Sequence, residues 1–132
     1  MMFKKKENSP DNIDTILGKG GIFKGSFEVE GGVLIDGKVE GDVKSKGILI
    51  VGKDGYIIGN VWASDLIISG KIEGKVYIKN RVEVQSTGRI EGELHCKVLV
   101  VDEGGYVNGI MDMKYIDEWF IYSFFHLILK ML

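Results

Sequence analysis

Gly70-Lys71-Ile72-Glu73-Gly74-Lys75-Val76 decides the fold, because its pattern, Gly-x-apolar-x-Gly-x-apolar, returns along the chain. The other copies run from Gly21 to Phe27, Gly37 to Val43, Gly55 to Val61, Gly88 to Leu94 and Gly105 to Met111. Successive copies begin between 15 and 18 residues apart. A near-constant period of this kind marks a repeat architecture, in which one short unit stacks on the next. Inside each copy apolar residues alternate with polar ones, the period of a strand and not of a helix. A second apolar segment precedes most copies: Val33 to Ile35, Ile48 to Val51, Leu66 to Ile68, Val82 to Val84 and Val98 to Val101. Each period thus holds about three short β segments. Helical repeats do not fit, since the period is too short for two helices and each interior glycine would cost about 1 kcal/mol.

The expected architecture is all-β: a single-domain, right-handed, three-sided parallel β-helix of about six rungs. A corner that needs close backbone approach or positive φ needs it again one rung later, ~4.8 Å along the axis, so the glycines recur in phase. Gly37, Gly55, Gly70, Gly88 and Gly105 should form a column at that corner. Alternation then turns Val39, Ile57, Ile72, Ile90 and Val107 inward as an aliphatic core ladder. Lys38, Lys71 and Arg89 face outward beside Glu40, Glu73 and Glu91. Six rungs give a rod of roughly 25–30 Å.

Composition narrows the function. A formal charge of −2 supplies no basic field for a phosphate backbone, so nucleic acid is not an expected partner. One cysteine, Cys96, makes no internal disulfide, which favours a reducing cytoplasm over a disulfide-held secreted scaffold. Lys4, Lys5 and Lys6 are followed by polar residues where a secretory signal would place its apolar run. The longest mostly apolar stretch, Trp119 to Leu129, is interrupted by Ser123 and His126 and falls short of the ~20 residues that span a bilayer as a helix.

Clusters that could carry chemistry have simpler structural accounts. Glu73 and Glu91, one rung apart, could pair as hydrolytic carboxylates. Their strand-mates Lys71 and Arg89 make them an exposed ladder of charge pairs, each contributing a few tenths of a kcal/mol. Cys96 turns inward in the column of Ala63 and Ile78 and reads as a buried, inert thiol. Two histidines, His95 and His126, with one cysteine make no metal-ligand spacing. No catalytic group, cofactor or metal is expected, and no enzyme activity. A left-handed β-helix acyltransferase, which would need a trimer and His95 as its base, stands as the alternative; a monomeric binding module capped by its own tail is another.

The two termini differ from the repeat. Residues 1–14 form a flexible tail whose Met2, Phe3, Lys4, Lys5 and Lys6 join an insertable aromatic to three cations. At about 1 kcal/mol per Lys beside an anionic leaflet, one copy binds weakly and a filament of many copies binds well. Residues 114–132 are an apolar tail. There Ile116, Phe120, Phe124, Leu127, Ile128 and Met131 share one face of a helix able to cap the last rung, to dimerise or to lie on a membrane. The β-helix domain takes residues 15–113. Its end rungs expose unpaired N–H and C=O groups that must be capped or used. Phe23, Phe27, Val107 and Met111 are the candidate polymerisation interface, and a charge at Phe27 or Val107 should keep the fold and disrupt assembly.

Together these residues resemble the bactofilins, bacterial polymer-forming cytoskeletal proteins, from about Asn12 to Met113. The marks are Thr15-Ile16-Leu17-Gly18 at the start, the rungs Ile35-Asp36-Gly37-Lys38-Val39-Glu40-Gly41 and Ile68-Ser69-Gly70-Lys71-Ile72-Glu73-Gly74, and the close Gly109-Ile110-Met111-Asp112-Met113. The start Met2-Phe3-Lys4-Lys5-Lys6 looks like the membrane-targeting tail of many members. The resemblance implies a homopolymer built end to end, without nucleotide, into non-polar filaments at the inner face of the cytoplasmic membrane. It also implies a scaffold for cell shape, with peptidoglycan peptidases or synthases among its partners.

Overall fold

A computed structural model describes residues 13–113, and every regular element in that range is a strand. The first turn holds β1 (Ile13–Leu17), β2 (Ile22–Lys24) and β3 (Phe27–Val29). The second holds β4 (Gly32–Ile35), β5 (Lys38–Glu40) and β6 (Val43–Ser45), and the third β7 (Ile48–Val51), β8 (Tyr56–Ile58) and β9 (Val61–Ala63). Three further turns hold two strands each: β10 (Asp65–Ile68) with β11 (Lys71–Ile78), β12 (Arg81–Val84) with β13 (Arg89–His95), and β14 (Val98–Val101) with β15 (Tyr106–Asp112). The chain is a parallel β-solenoid of about six turns.

Strands one turn apart pair in parallel, which sorts them into three faces. The first face is β1-β4-β7-β10-β12-β14. The second stacks β2, β5 and β8 on the leading halves of β11, β13 and β15; the third stacks β3, β6 and β9 on their trailing halves. From β11 onward the strand runs through the corner at Gly74, Gly92 and Gly109, so two faces share one long, bent strand. The structure also places a strand before the Gly21 copy, beginning at Ile13 within the expected 1–14 tail. Ile13–Leu17 lies on Gly32–Ile35 and makes the first turn complete.

The two glycines of each repeat do different work. At Gly70 a side chain would strike the carbonyl oxygens of Gly52 and Gly55, so this column exists for close approach and not for positive φ. At Gly74 φ is +147°, and a Cβ would also collide with the Gly59 carbonyl below it.

Between these corners the core is a set of axial columns. One runs Phe23, Val39, Ile57, Ile72, Ile90, Val107, and its neighbour runs Phe27, Val43, Val61, Val76, Leu94, Met111. Val39, Ile57, Ile72 and Ile90 have no solvent exposure at all, and neither do Val43, Val61, Val76 and Leu94. Each such side chain contributes about 1.5–3 kcal/mol by leaving water. The buried Ser45 hydroxyl is satisfied by donating to the Gly31 carbonyl at 2.8 Å and accepting from the Gly47 amide at 3.0 Å.

Candidate assembly surfaces

Core columns in a solenoid have ends, and here the ends are apolar. At the first turn Phe23 is 36 % exposed, and Ile16 and Ile22 beside it more so. At the last turn Val98, Val101, Ile110 and Met111 stand exposed, with Met111 at 51 %. Phe23, Phe27, Val107 and Met111 are therefore the terminal members of the two columns described above. Phe27 and Val107 are only partly open, because each still packs against the core. Phe23 meets Phe27 edge to face, with ring centroids 5.1 Å apart. The outer edges of β1, β2 and β3 at one end, and of β14 and β15 at the other, have no strand beyond them among the described residues. Unpaired edges with apolar side chains are the natural template for adding a further strand layer.

The sides of the rod are different on each face. On the second face the expected charge ladder is interleaved with tyrosines. Tyr56 donates to Glu73 at 2.7 Å, Lys71 pairs with Glu73 at 2.9 Å and reaches Glu91 at 3.7 Å, and the Lys71 ammonium lies 5.5 Å from the Tyr56 ring. The bonds from Lys71 and Tyr56 hold the Glu73 carboxyl below the usual carboxylate range, and the same carboxylate pushes the Lys71 ammonium and the Tyr56 phenol up. Glu73 and Glu91 do sit one rung apart. Glu73 is held by two partners, which makes it a member of a structural ladder and not a poised acid.

On the third face Trp62, Tyr77 and His95 stack in successive turns, 5.5 Å and 4.8 Å between centroids and nearly parallel. Lys44 covers the open face of Trp62 at 5.1 Å, and His95 pairs with Asp112 at 3.5 Å. His95 is thus built into an axial stack that no single repeat reveals, since its members lie 15 to 18 residues apart.

The first face carries an outward ladder that is apolar except at Glu83. Ile16, Leu34, Ile50, Ile67, Glu83 and Val100 are register partners through six turns, all on the outward side of their strands. The sequence signal for this ladder is the continuous apolar run in β4, β7, β10 and β14, such as Ile48-Leu49-Ile50-Val51, in place of the alternation on the other faces and in β12.

Cys96 is fully buried, 3.6 Å from the Met113 sulfur, and burial pushes its thiol up. Ellman's reagent at neutral pH is expected to leave Cys96 unreacted in the folded protein and to modify it stoichiometrically in guanidinium. Rapid labelling of the native protein would show instead that the last turns open. Among the described residues no group of His, Cys, Asp and Glu could hold a metal ion, and no helix is long and apolar enough to cross a membrane. Met2 to Lys6 and the segment 114–132 lie outside the described residues.

A stacked coil of parallel strands around a continuous apolar core defines the class of β-solenoids. The family model described as "Bactofilin: Polymer-forming cytoskeletal" matches residues 15–112, and the chain belongs to the bactofilin family. It is 26 % identical over 114 residues to the bactofilin BacP of Myxococcus xanthus, covering 86 % of this chain and 48 % of that protein. The chain therefore spans about half the length of the curated relative it matches. No solved structure matches. The family is a structural, cytoskeletal one and not an enzyme family.

Proposed function

We propose that this protein is a filament subunit whose rods join end to end, without nucleotide, to scaffold cell-shape and cell-wall machinery at the inner face of the cytoplasmic membrane. The observation that carries the reading is the contrast along the core columns: fully buried in the middle turns, and apolar yet exposed at Phe23 and Met111. Joining two ends continues the columns, covers those side chains and pairs the free strand edges in one step. The family's polymer-forming description supports the homopolymer.

Membrane contact rests on Met2, Phe3, Lys4, Lys5 and Lys6, whose weak single-copy affinity becomes useful when a filament presents many copies. Peptidoglycan peptidases or synthases are the partners the resemblance suggests.

Negative-stain electron microscopy of the nucleotide-free protein, with flotation on anionic vesicles, tests both parts. Filaments about as wide as one rod are expected, and they should float with vesicles unless Lys4, Lys5 and Lys6 are replaced by glutamate. Monodisperse single rods at high concentration would overturn the assembly reading. Flotation that ignores the lysines would overturn the membrane one.

A further inference from the structure

Lys44, Lys46, Lys79 and Lys97 are scattered through the sequence, and the turns gather them along one edge of the third face. Lys44 is the register partner of Trp62, whose column continues through Tyr77 to His95. Lys46 and Lys79 stand at the corner just past β6 and β11, and Lys97 one turn further on, where its amide donates to the Asn80 carbonyl. Between this corner and the aromatic column runs an open groove lined by Lys46, Trp62, Ser64, Tyr77 and Lys79. All four lysines are exposed. Lys46 pairs with Glu30 at 3.4 Å, whereas Lys44, Lys79 and Lys97 form no ion pair among the described residues. Asp65, beside the groove, already accepts from the Ser64 hydroxyl at 3.0 Å.

Unpaired ammonium groups beside an apolar wall fit an anion that also carries apolar surface. Two features choose among such anions. Trp62 is held between the Lys44 ammonium and the Tyr77 ring, and Tyr77 between Trp62 and His95, so neither offers a ring face. A nucleobase, which binds by stacking, finds no platform there. The stripe is also short. Its column begins at Glu28 and closes at Asp112, and Glu30 sits beside Lys46, so acids bound the cations at both ends. From Lys46 to Lys97 is three turns, ~14 Å at ~4.8 Å each. A bilayer or a long polyanion laid along the rod would meet those acids, at a repulsive cost. A peptide of about five extended residues fits between them.

We propose that this edge of the third face docks a short acidic segment of a partner protein, its carboxylates on Lys44, Lys79 and Lys97 and an apolar side chain against the edges of Trp62 and Tyr77. The inference rests on the scaffold reading, for which it supplies the side that holds partners. Docking there leaves both end turns free for assembly. A filament repeats the site once per subunit, which turns a weak single contact into firm recruitment.

A fluorescein-labelled glutamate-rich peptide with one central tyrosine, titrated with the full chain and followed by anisotropy, tests the surface. Saturable binding is expected, and none for the same peptide with glutamine in place of glutamate. Lys79→Glu combined with Lys97→Glu should weaken binding by about tenfold or more, since two attractions become two repulsions. Lys24→Glu combined with Lys53→Glu changes the net charge equally at exposed positions off the third face, and should weaken binding by less than about twofold. Circular dichroism should show both double variants folded. Equal losses in the two would mean that net charge alone attracts the peptide. Flotation with phosphatidylserine vesicles that is abolished by the Lys79 and Lys97 reversals would give this face to a membrane. Either result, or no saturable binding, would overturn the proposal. Anisotropy reads single rods and filaments alike, so a failure of assembly is seen separately, by electron microscopy.

Discussion

Alanine at Gly74 is expected to lower the guanidinium midpoint by the equivalent of at least ~3 kcal/mol, or to abolish soluble expression. Two costs combine there. The backbone sits at φ +147°, a conformation that costs a residue with a Cβ about 1–3 kcal/mol. The new methyl would also press into the Gly59 carbonyl, whose carbon lies only 2.7 Å from where the Cβ would be. That neighbour is backbone from the turn below and cannot rotate away, and overpacking of this kind costs a further ~1–3 kcal/mol. A domain of this size has roughly 5–15 kcal/mol in total. Gly25 supplies the control: its φ is +127°, but the nearest atom to an added Cβ is a Phe23 ring carbon at 3.8 Å. Gly25→Ala should therefore cost only the dihedral part. Equal midpoints for the two variants would show that the rung-on-rung glycine contact does not hold the corner.

The same contrast explains what a reader of the sequence can and cannot extract. The Gly-x-apolar-x-Gly-x-apolar copies specify the corners and the inward columns, because register in a parallel coil repeats the same demand at the same phase. Val39, Ile57, Ile72 and Ile90 are thus readable as one column, and the structure puts them in register with no exposure. Which glycine of each pair takes positive φ is not readable, since both conserve space and only the three-dimensional bend separates them. Ile13–Leu17 carries no glycine pattern of its own, and its partner Gly32–Ile35 is recognisable only once the turns are stacked. The Trp62-Tyr77-His95 stack is hidden for a related reason: its members are strangers in sequence and neighbours only across turns. For the assembly surface, the four residues picked out by alternation are column ends, but alternation gives no measure of how far each is already used by its own core.

That difference in use decides how the assembly surface should be tested. Met111→Asp is expected to abolish filaments while shifting the unfolding midpoint by no more than about 0.5 kcal/mol, the range of an exposed substitution. Met111 ends the column that begins at Phe27, and it is half exposed because nothing follows it among the described residues. In a single rod the aspartate can remain in water. In a joint it would be buried against the next rod's apolar end without a partner, a cost of several kcal/mol that falls on association alone. Phe23→Asp should act in the same way at the other end, with an added loss of about 0.5–1.5 kcal/mol from its edge contact with Phe27. A charge at Phe27 or Val107 is a poorer probe, because both pack against the core and would mix unfolding with loss of assembly. Sedimentation velocity beside thermal unfolding separates the two effects. Single folded rods from either variant mean that its end carries a joint. Filaments that persist with aspartate at Phe23 and at Met111 together would move the contact off the column ends and onto the sides of the rod.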